Sequence, residues 1–268
     1  MKNVLSIAGS DSCGGAGIQA DIKTFSALGT YGMSVITAVT AQNTKGVVMI
    51  REMDAEIIES QIDCLFDDIR IDGIKIGMVS SIEIIDAISR ALIRNNATNI
   101  ILDPVMVSKS GFHLLKEEAS DALIKKLFPL ARLVTPNLFE AEVITGRKIE
   151  NQEQMEAAAK DIVLLGAQNV VIKGGHLEGD AVDVFYDQKD FKYFRFKRIN
   201  TKNTHGTGCT FSSAVTAYLA LGLSLEQALE GAKKYINEAI EHSIELGAGC
   251  GPTNHFYALY RAAGLRYE

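Results

Sequence analysis

The segment Thr204-His205-Gly206-Thr207-Gly208-Cys209-Thr210 runs straight into an apolar stretch with helical spacing. Two glycines let the backbone turn so that successive amides face one concavity, and a helix start adds free N–H groups and the positive end of its dipole. Such a place suits a phosphate or the charge developing on a transferring phosphoryl group. At its lip stands Cys209, where the same field can draw a thiol of pKa about 8.5 toward neutrality. An anion cradle beside an activatable thiol points to transfer chemistry, although the same residues also read as a turn, a cap and a buried cysteine.

Further reactive types stand elsewhere. Ala8-Gly9-Ser10-Asp11-Ser12-Cys13-Gly14-Gly15-Ala16-Gly17 follows the first apolar run, with Asp21 one helical turn onward. It lacks G-x-G-x-x-G spacing, and no P-loop motif occurs in the chain. The segment reads either as a plain β–α loop or as backbone that approaches a small ligand closely. Asp103-Pro104 and Thr135-Pro136-Asn137, with Glu140, each follow an apolar run. An Asp and a Glu brought together suit Mg²⁺ held partly through water and phosphate oxygens. Asn137 and Glu140 equally suit a helix cap and its dipole. In Lys173-Gly174-Gly175-His176 the lysine can pair with a nucleotide phosphate or simply face solvent. Together these are the parts of a phosphoryl-transfer site: cradle, metal carboxylates, cation and base.

Positioning them requires an alternating framework, and the apolar periodicity supplies it. Strands are expected at 4–8, 33–39, 47–50, 73–76, 99–102, 133–134 and 170–172, with a hairpin at 182–186 and 191–196. Helices are expected at 18–28, 57–66, 82–93, 119–127 and 152–165, then around 211–219, over 225–246, and in a short last segment. This is a doubly wound α/β pattern, a mostly parallel sheet with helices on both faces, read as one domain over residues 1–268. Ligands of such sheets bind at the carboxyl ends of the strands, where the reactive residues fall.

Composition narrows the class. The chain has 47% hydrophobic and 22% charged residues, as ordinary globular proteins do. A net charge of −6 argues against nucleic acid; the basic cluster Lys192, Arg195, Lys197 and Arg198 reads as the wet face of a strand. The four cysteines are scattered without zinc spacing, and no apolar run reaches signal-peptide or membrane-spanning length. A cytoplasmic location without membrane contact is expected.

Taken in order, AGSDSCGGAGIQADIKTF, AVTAQNT, KIGM, LDPVMVSKSG, TPNLFEAE, VIKGGH, HGTGCTFSSA and GPTNH resemble the hydroxymethylpyrimidine/phosphomethylpyrimidine kinases, a ribokinase-superfamily branch. The resemblance spans residues 8 to 255. It implies a ribokinase-like fold with a small flap at 107–111, ATP as co-substrate and Mg²⁺ as cofactor. It places Ala16, Asp21, Gln42 and Met78 around the pyrimidine, and Asp103 and Glu140 at the metal. Lys173, Thr207 and Asn137 would serve the nucleotide; Gly206, Thr207, Gly208 and Cys209 would form the anion hole, with Cys209 as base. The implied activity phosphorylates 4-amino-5-hydroxymethyl-2-methylpyrimidine to the monophosphate and then the diphosphate, in thiamine diphosphate biosynthesis. Homo-oligomers are implied, a homodimer or higher. The alternative is a pyridoxal/pyridoxine kinase of vitamin B6 salvage; the cysteine that some such enzymes carry on the flap is absent from Ser108-Lys109-Ser110-Gly111.

Overall fold

The computed structural model describes residues 1–107, 111–112, 114–175 and 180–265. Strand β1 (Asn3–Asp11) buries Val4, Leu5, Ile7 and Ala8 completely, a run without polar alternation because both faces of the strand are covered. It pairs in parallel with β2 (Tyr31–Asn43) and with β4 (Gly73–Ile76). The remaining strands are β3 (Gly46–Glu52), β5 (Ile100–Leu102), β6 (Leu133–Val134), β7 (Val170–Ile172), β8 (Ala181–Tyr186) and β9 (Phe191–Phe196). Among the described residues they form one nine-stranded sheet in the order β3-β2-β1-β4-β5-β6-β7-β8-β9. The segment from β2 to β7 is parallel; β3, β8 and β9 add antiparallel edges.

Helices cover both faces, as expected. On one lie α1 (Gly17–Ala27), α7 (Thr207–Ala220) and α8 (Leu225–Glu241), packing Phe25, Phe211, Val215 and Leu229 against Val4, Ile101 and Val171. On the other lie α2 (Ala55–Asp68), α3 (Ile82–Arg94), α4 (Ser120–Leu127), α5 (Leu138–Thr145) and α6 (Gln152–Leu164). Their Ile58, Ile62, Ile84, Ile88, Leu123 and Met155 meet Leu5, Ile7 and Ile76 in the larger core. Local signals set several helix starts: Ser81 and Asn151 cap α3 and α6, and capping boxes open α5 (Asn137 with Glu140) and α8 (Ser224 with Gln227).

Two expectations shift. The helix expected over 225–246 ends at Glu241, because the chain beyond it folds back: Ile244 N–H donates to the Pro252 carbonyl at 3.0 Å and Cys250 N–H to that of Thr44 at 2.8 Å. The strand expected at 33–39 extends over Tyr31–Asn43, since β1 and β3 both supply it with partners. The β8–β9 hairpin forms as expected, with Asp187 Oδ1 accepting the amides of Lys189 and Asp190. Its basic stripe is engaged locally, Lys192 with Glu226 and Arg195 with Gln152. A short α9 (Tyr257–Ala262) follows the 242–256 loop.

Candidate active site

Every candidate segment leaves the carboxyl end of a parallel strand or starts α7. After β1, whose pairing slips between Ala8 and Ser10, the chain arches over the Asp11 carboxylate. That group accepts the amides of Cys13, Gly15 and Ala16 at 2.8, 3.1 and 2.9 Å, and His205 Nε2 lies 2.8 Å away. Burial pushes its pKa up, but the His205 hydrogen bond and the amides outweigh burial and hold it below the ordinary range. The arch packs onto the loop before α7. A Cβ on Gly206, at φ +80°, would lie 1.7 Å from the Gly15 carbonyl oxygen; one on Gly15 would lie 2.3 Å from His205 Cδ2. Only backbone without side chains fits this contact.

Gly206 is the N-cap of α7, and Thr207 Oγ1 donates to the Thr204 carbonyl at 2.7 Å. The amides of Gly208 and Cys209 lie in the first turn and have no intrahelical acceptor. They begin beside charge: a Cβ on Gly208 would lie 3.4 Å from both Asp103 Oδ2 and Lys173 Nζ. Lys173 Nζ donates to Asp103 Oδ1 at 2.8 Å, and Thr135 Oγ1 to the same oxygen at 3.1 Å. Burial raises the Asp103 pKa, but the charges of Lys173 and Lys75 prevail and lower it. Glu140 is only 3% exposed and closes the capping box, accepting the Asn137 amide at 2.8 Å. Burial, with the Asp103 charge adding to it and Lys173 opposing, pushes Glu140 up to about 7. Lys173 is held up by Asp103 and Glu140 against its own burial. Two buried carboxylates sharing one ammonium leave room for a further positive charge, and an all-oxygen donor set fits Mg²⁺. Asn137 and Glu140 form the helix cap that one of the two sequence readings gave them.

A cavity of about 610 Å³ joins these groups to Ala16, Gln42, Met78, Asn137, Val105 and Leu114. Three of the four expected pyrimidine residues therefore line it. Asp21 does not. Its side chain is fully buried below the cavity, where it accepts Lys75 Nζ at 2.8 and 2.9 Å, Ser6 Oγ at 2.5 Å and Ser213 Oγ at 2.7 Å. Burial at the strand–helix junction makes Asp21 a structural anion instead of a reader of the ring.

Cys209 lines the cavity as expected, but its ionisation near neutrality is not met with these neighbours. Burial pushes the thiol up to about 11; Lys75 pulls it down, and Asp21 and Asp103 push it further up. Of the expected flap, Val107 lines the cavity and Gly111 is exposed, while Ser108, Lys109 and Ser110 lie outside the described residues, as does His176. Sequence reasoning gave no role to Asp11, His205 or Lys75. Lys75 had a signal: a lysine inside the four-residue strand Gly-Ile-Lys-Ile must find a buried partner.

A phosphate chain lying along the α7 start would meet Lys173 and Asp103 together, with the organic pocket on its far side; this is the layout of a small-molecule kinase of ribokinase-like fold. The chain belongs to the phosphomethylpyrimidine kinase family, whose model matches residues 11–254. It is 50% identical over 261 residues to the hydroxymethylpyrimidine/phosphomethylpyrimidine kinase of Rhizobium meliloti (strain 1021), covering 96% of this chain and 98% of the relative. It is also 50% identical over 257 residues, 96% of this chain, to the thiamine biosynthesis bifunctional protein ThiED of Geobacter sulfurreducens, of which it spans about half (52%). Among solved structures, a Bacillus subtilis pyridoxal kinase in an ADP complex superimposes with a TM-score of 0.89 at 41% identity, covering 95% of this chain and 97% of that one.

Proposed function

We propose that this chain is the two-step pyrimidine kinase of thiamine diphosphate biosynthesis. It transfers the γ-phosphoryl group of ATP to 4-amino-5-hydroxymethyl-2-methylpyrimidine, and a second one to the resulting monophosphate. The observation that carries this reading is one cavity in which Ala16, Gln42 and Met78 face the α7 start, Asp103, Glu140 and Lys173. In the proposed arrangement the amides at 206–209 receive the transferring phosphoryl group, while Lys173, Thr207 and Asn137 hold nucleotide phosphates. Asp103 and Glu140 hold Mg²⁺, directly or through water, and the ion when bound offsets phosphate charge. Cys209 is the base for the hydroxymethyl proton in the first step, which requires the charge of the bound ion to draw down a thiol that burial pushes up to about 11; the second nucleophile is already anionic and needs none.

The pyrimidine reading is favoured over vitamin B6 because the curated relatives above, at 50% identity, are named for pyrimidine or thiamine chemistry, while the pyridoxal kinase neighbour is at 41%. We place the whole activity in one domain and in the cytoplasm; no helix among the described residues is long and apolar enough to cross a membrane. A homodimer or higher homo-oligomer is supported by the open β3 edge, where Val48 and Met49 are 75% and 62% exposed. The test is ADP release with Mg-ATP and hydroxymethylpyrimidine, its monophosphate or pyridoxal, each offered separately. Turnover of both pyrimidines with pyridoxal slow is expected. Turnover of pyridoxal with the monophosphate inert would overturn the assignment.

A further inference from the structure

Cys13 lies in the arch after β1 and takes no part in the phosphoryl-transfer layout. Its neighbours give it a chemistry of its own. Cys13 Sγ, a carboxylate oxygen of Asp11 and a ring nitrogen of His205 lie within 4.8 Å of one another. Asp11 and His205 are buried and Cys13 is half-buried, so the thiol is the accessible member. The backbone holds the other two in place. Asp11 accepts the amides of Cys13, Gly15 and Ala16, and the His205 amide donates to the Gly251 carbonyl at 3.0 Å. Two of the three donors are therefore preorganised, which favours ligation over a chance encounter. Lys23 Nζ, bound to the Gly14 carbonyl at 2.7 Å, offsets part of the local negative charge but offers no ligand.

The donor set selects the ion. A thiolate with an imidazole suits Zn²⁺ and its congeners Co²⁺ and Cd²⁺, whereas Mg²⁺ takes oxygen ligands. This group and the Asp103–Glu140 carboxylates would thus draw different ions from one solution. Tetrahedral bonds to Zn²⁺ set nitrogen and oxygen about 3.3 Å apart, and sulfur about 3.5 Å from either. His205 Nε2 and Asp11 Oδ2 stand 2.8 Å apart, so they must separate by about half an ångström to admit the ion where their shared proton now lies. The sulfur must move in by at most about 1.3 Å, which a χ1 rotation supplies. The Nε2 proton passes through water to Nδ1, and the thiol proton leaves to solvent as the metal–sulfur bond forms. No electrons change hands.

We propose that Asp11, Cys13 and His205 form a site for a divalent cation of the Zn²⁺ class, and that its occupation inhibits phosphoryl transfer. Inhibition follows from the packing. A Cβ on Gly206 would lie 1.7 Å from the Gly15 carbonyl oxygen, so the two loops touch through bare backbone. Parting Asp11 from His205 displaces the arch against the start of α7, whose amides receive the phosphoryl group in the proposed reaction. The inhibition rests on that kinase reading; the binding does not.

The experiment titrates Co²⁺ into the purified protein without nucleotide, in wild type, Cys13→Ala, His205→Gln and Cys250→Ala. Wild type and Cys250→Ala are expected to develop thiolate-to-metal charge-transfer absorption and tetrahedral Co²⁺ bands, both removed by Zn²⁺. Cys13→Ala is expected to lose the charge-transfer band, and His205→Gln to bind at least about tenfold more weakly. No such band in wild type, or one that survives in Cys13→Ala, overturns the site whatever the protein phosphorylates. Turnover with excess Mg-ATP is then followed at buffered free Zn²⁺. Cys13→Ala is expected to match wild type without zinc and to need at least about tenfold more zinc for half-inhibition. Equal zinc sensitivity of the two proteins would overturn the inhibitory role.

Discussion

Lys75 Nζ meets both carboxylate oxygens of Asp21, at 2.8 and 2.9 Å, and neither side chain is reached by solvent. Ser6 from β1 and Ser213 from α7 donate to the same carboxylate, so one anion ties β1, β4, α1 and α7 together below the cavity. A buried pair of this kind repays its desolvation only when its remaining hydrogen-bonding capacity is filled, as the two serines do here.

Lys75→Met should therefore destabilise the protein by about 3–5 kcal/mol, because it strands a buried carboxylate. Adding Asp21→Asn to it should recover a large part of that loss. Urea unfolding of the single and double variants reads the coupling. Losses that simply add would show that the pair contributes nothing as a pair.

Cys209→Ala should slow phosphorylation of the hydroxymethyl substrate by about 10²–10⁴-fold while the monophosphate loses less than about tenfold. Equal losses in the two half-reactions would leave Cys209 a wall of the anion hole. Because burial pushes its thiol up to about 11, alkylation of Cys209 by iodoacetamide should be slow at neutral pH and accelerate well into the alkaline range.

Gly206→Ala should abolish activity and cost several kcal/mol, since its Cβ would fall 1.7 Å from the Gly15 carbonyl oxygen at a φ of +80°. Gly175→Ala, whose Cβ meets nothing within 4 Å, should change stability by less than about 0.5 kcal/mol. Thermal unfolding of the two variants side by side checks the contrast.

His255 gives stability a pH dependence of its own. Burial, and after it the Lys23 charge, pushes its pKa down to about 4, while Thr210 Oγ1 lies 3.0 Å from Nε2. As pH falls through about 6.5 the unfolded chain takes up a proton that the folded protein refuses until about 4. The group's stabilisation is thus present above about 6.5 and is lost progressively toward 4, about 3 kcal/mol in all. Melting curves across that window should fall more steeply for wild type than for His255→Gln. Parallel curves would remove His255 as the cause.

Periodicity and short motifs were enough to determine the alternating strands and helices, the capping of α5 by Asn137 and Glu140, and the clustering of reactive types at strand ends. They suffice because each is a local property: apolar spacing, a cap, a glycine turn. The reach of Asp21 is not local. Its spacing after the first loop suits a ligand contact, yet Lys75, 54 residues away, arrives on β4 and claims the carboxylate. The Asp11–His205 contact joins positions 194 apart, and only the packing of two glycine-lined loops decides it. The acidity of Cys209 likewise depends on which charges the fold brings near and how far it excludes water, and that balance reversed the direction expected from a helix start alone. Residue order places the parts at the end of the sheet; which of them face the ligand and which brace the others is settled by long-range contacts that no spacing along the chain encodes.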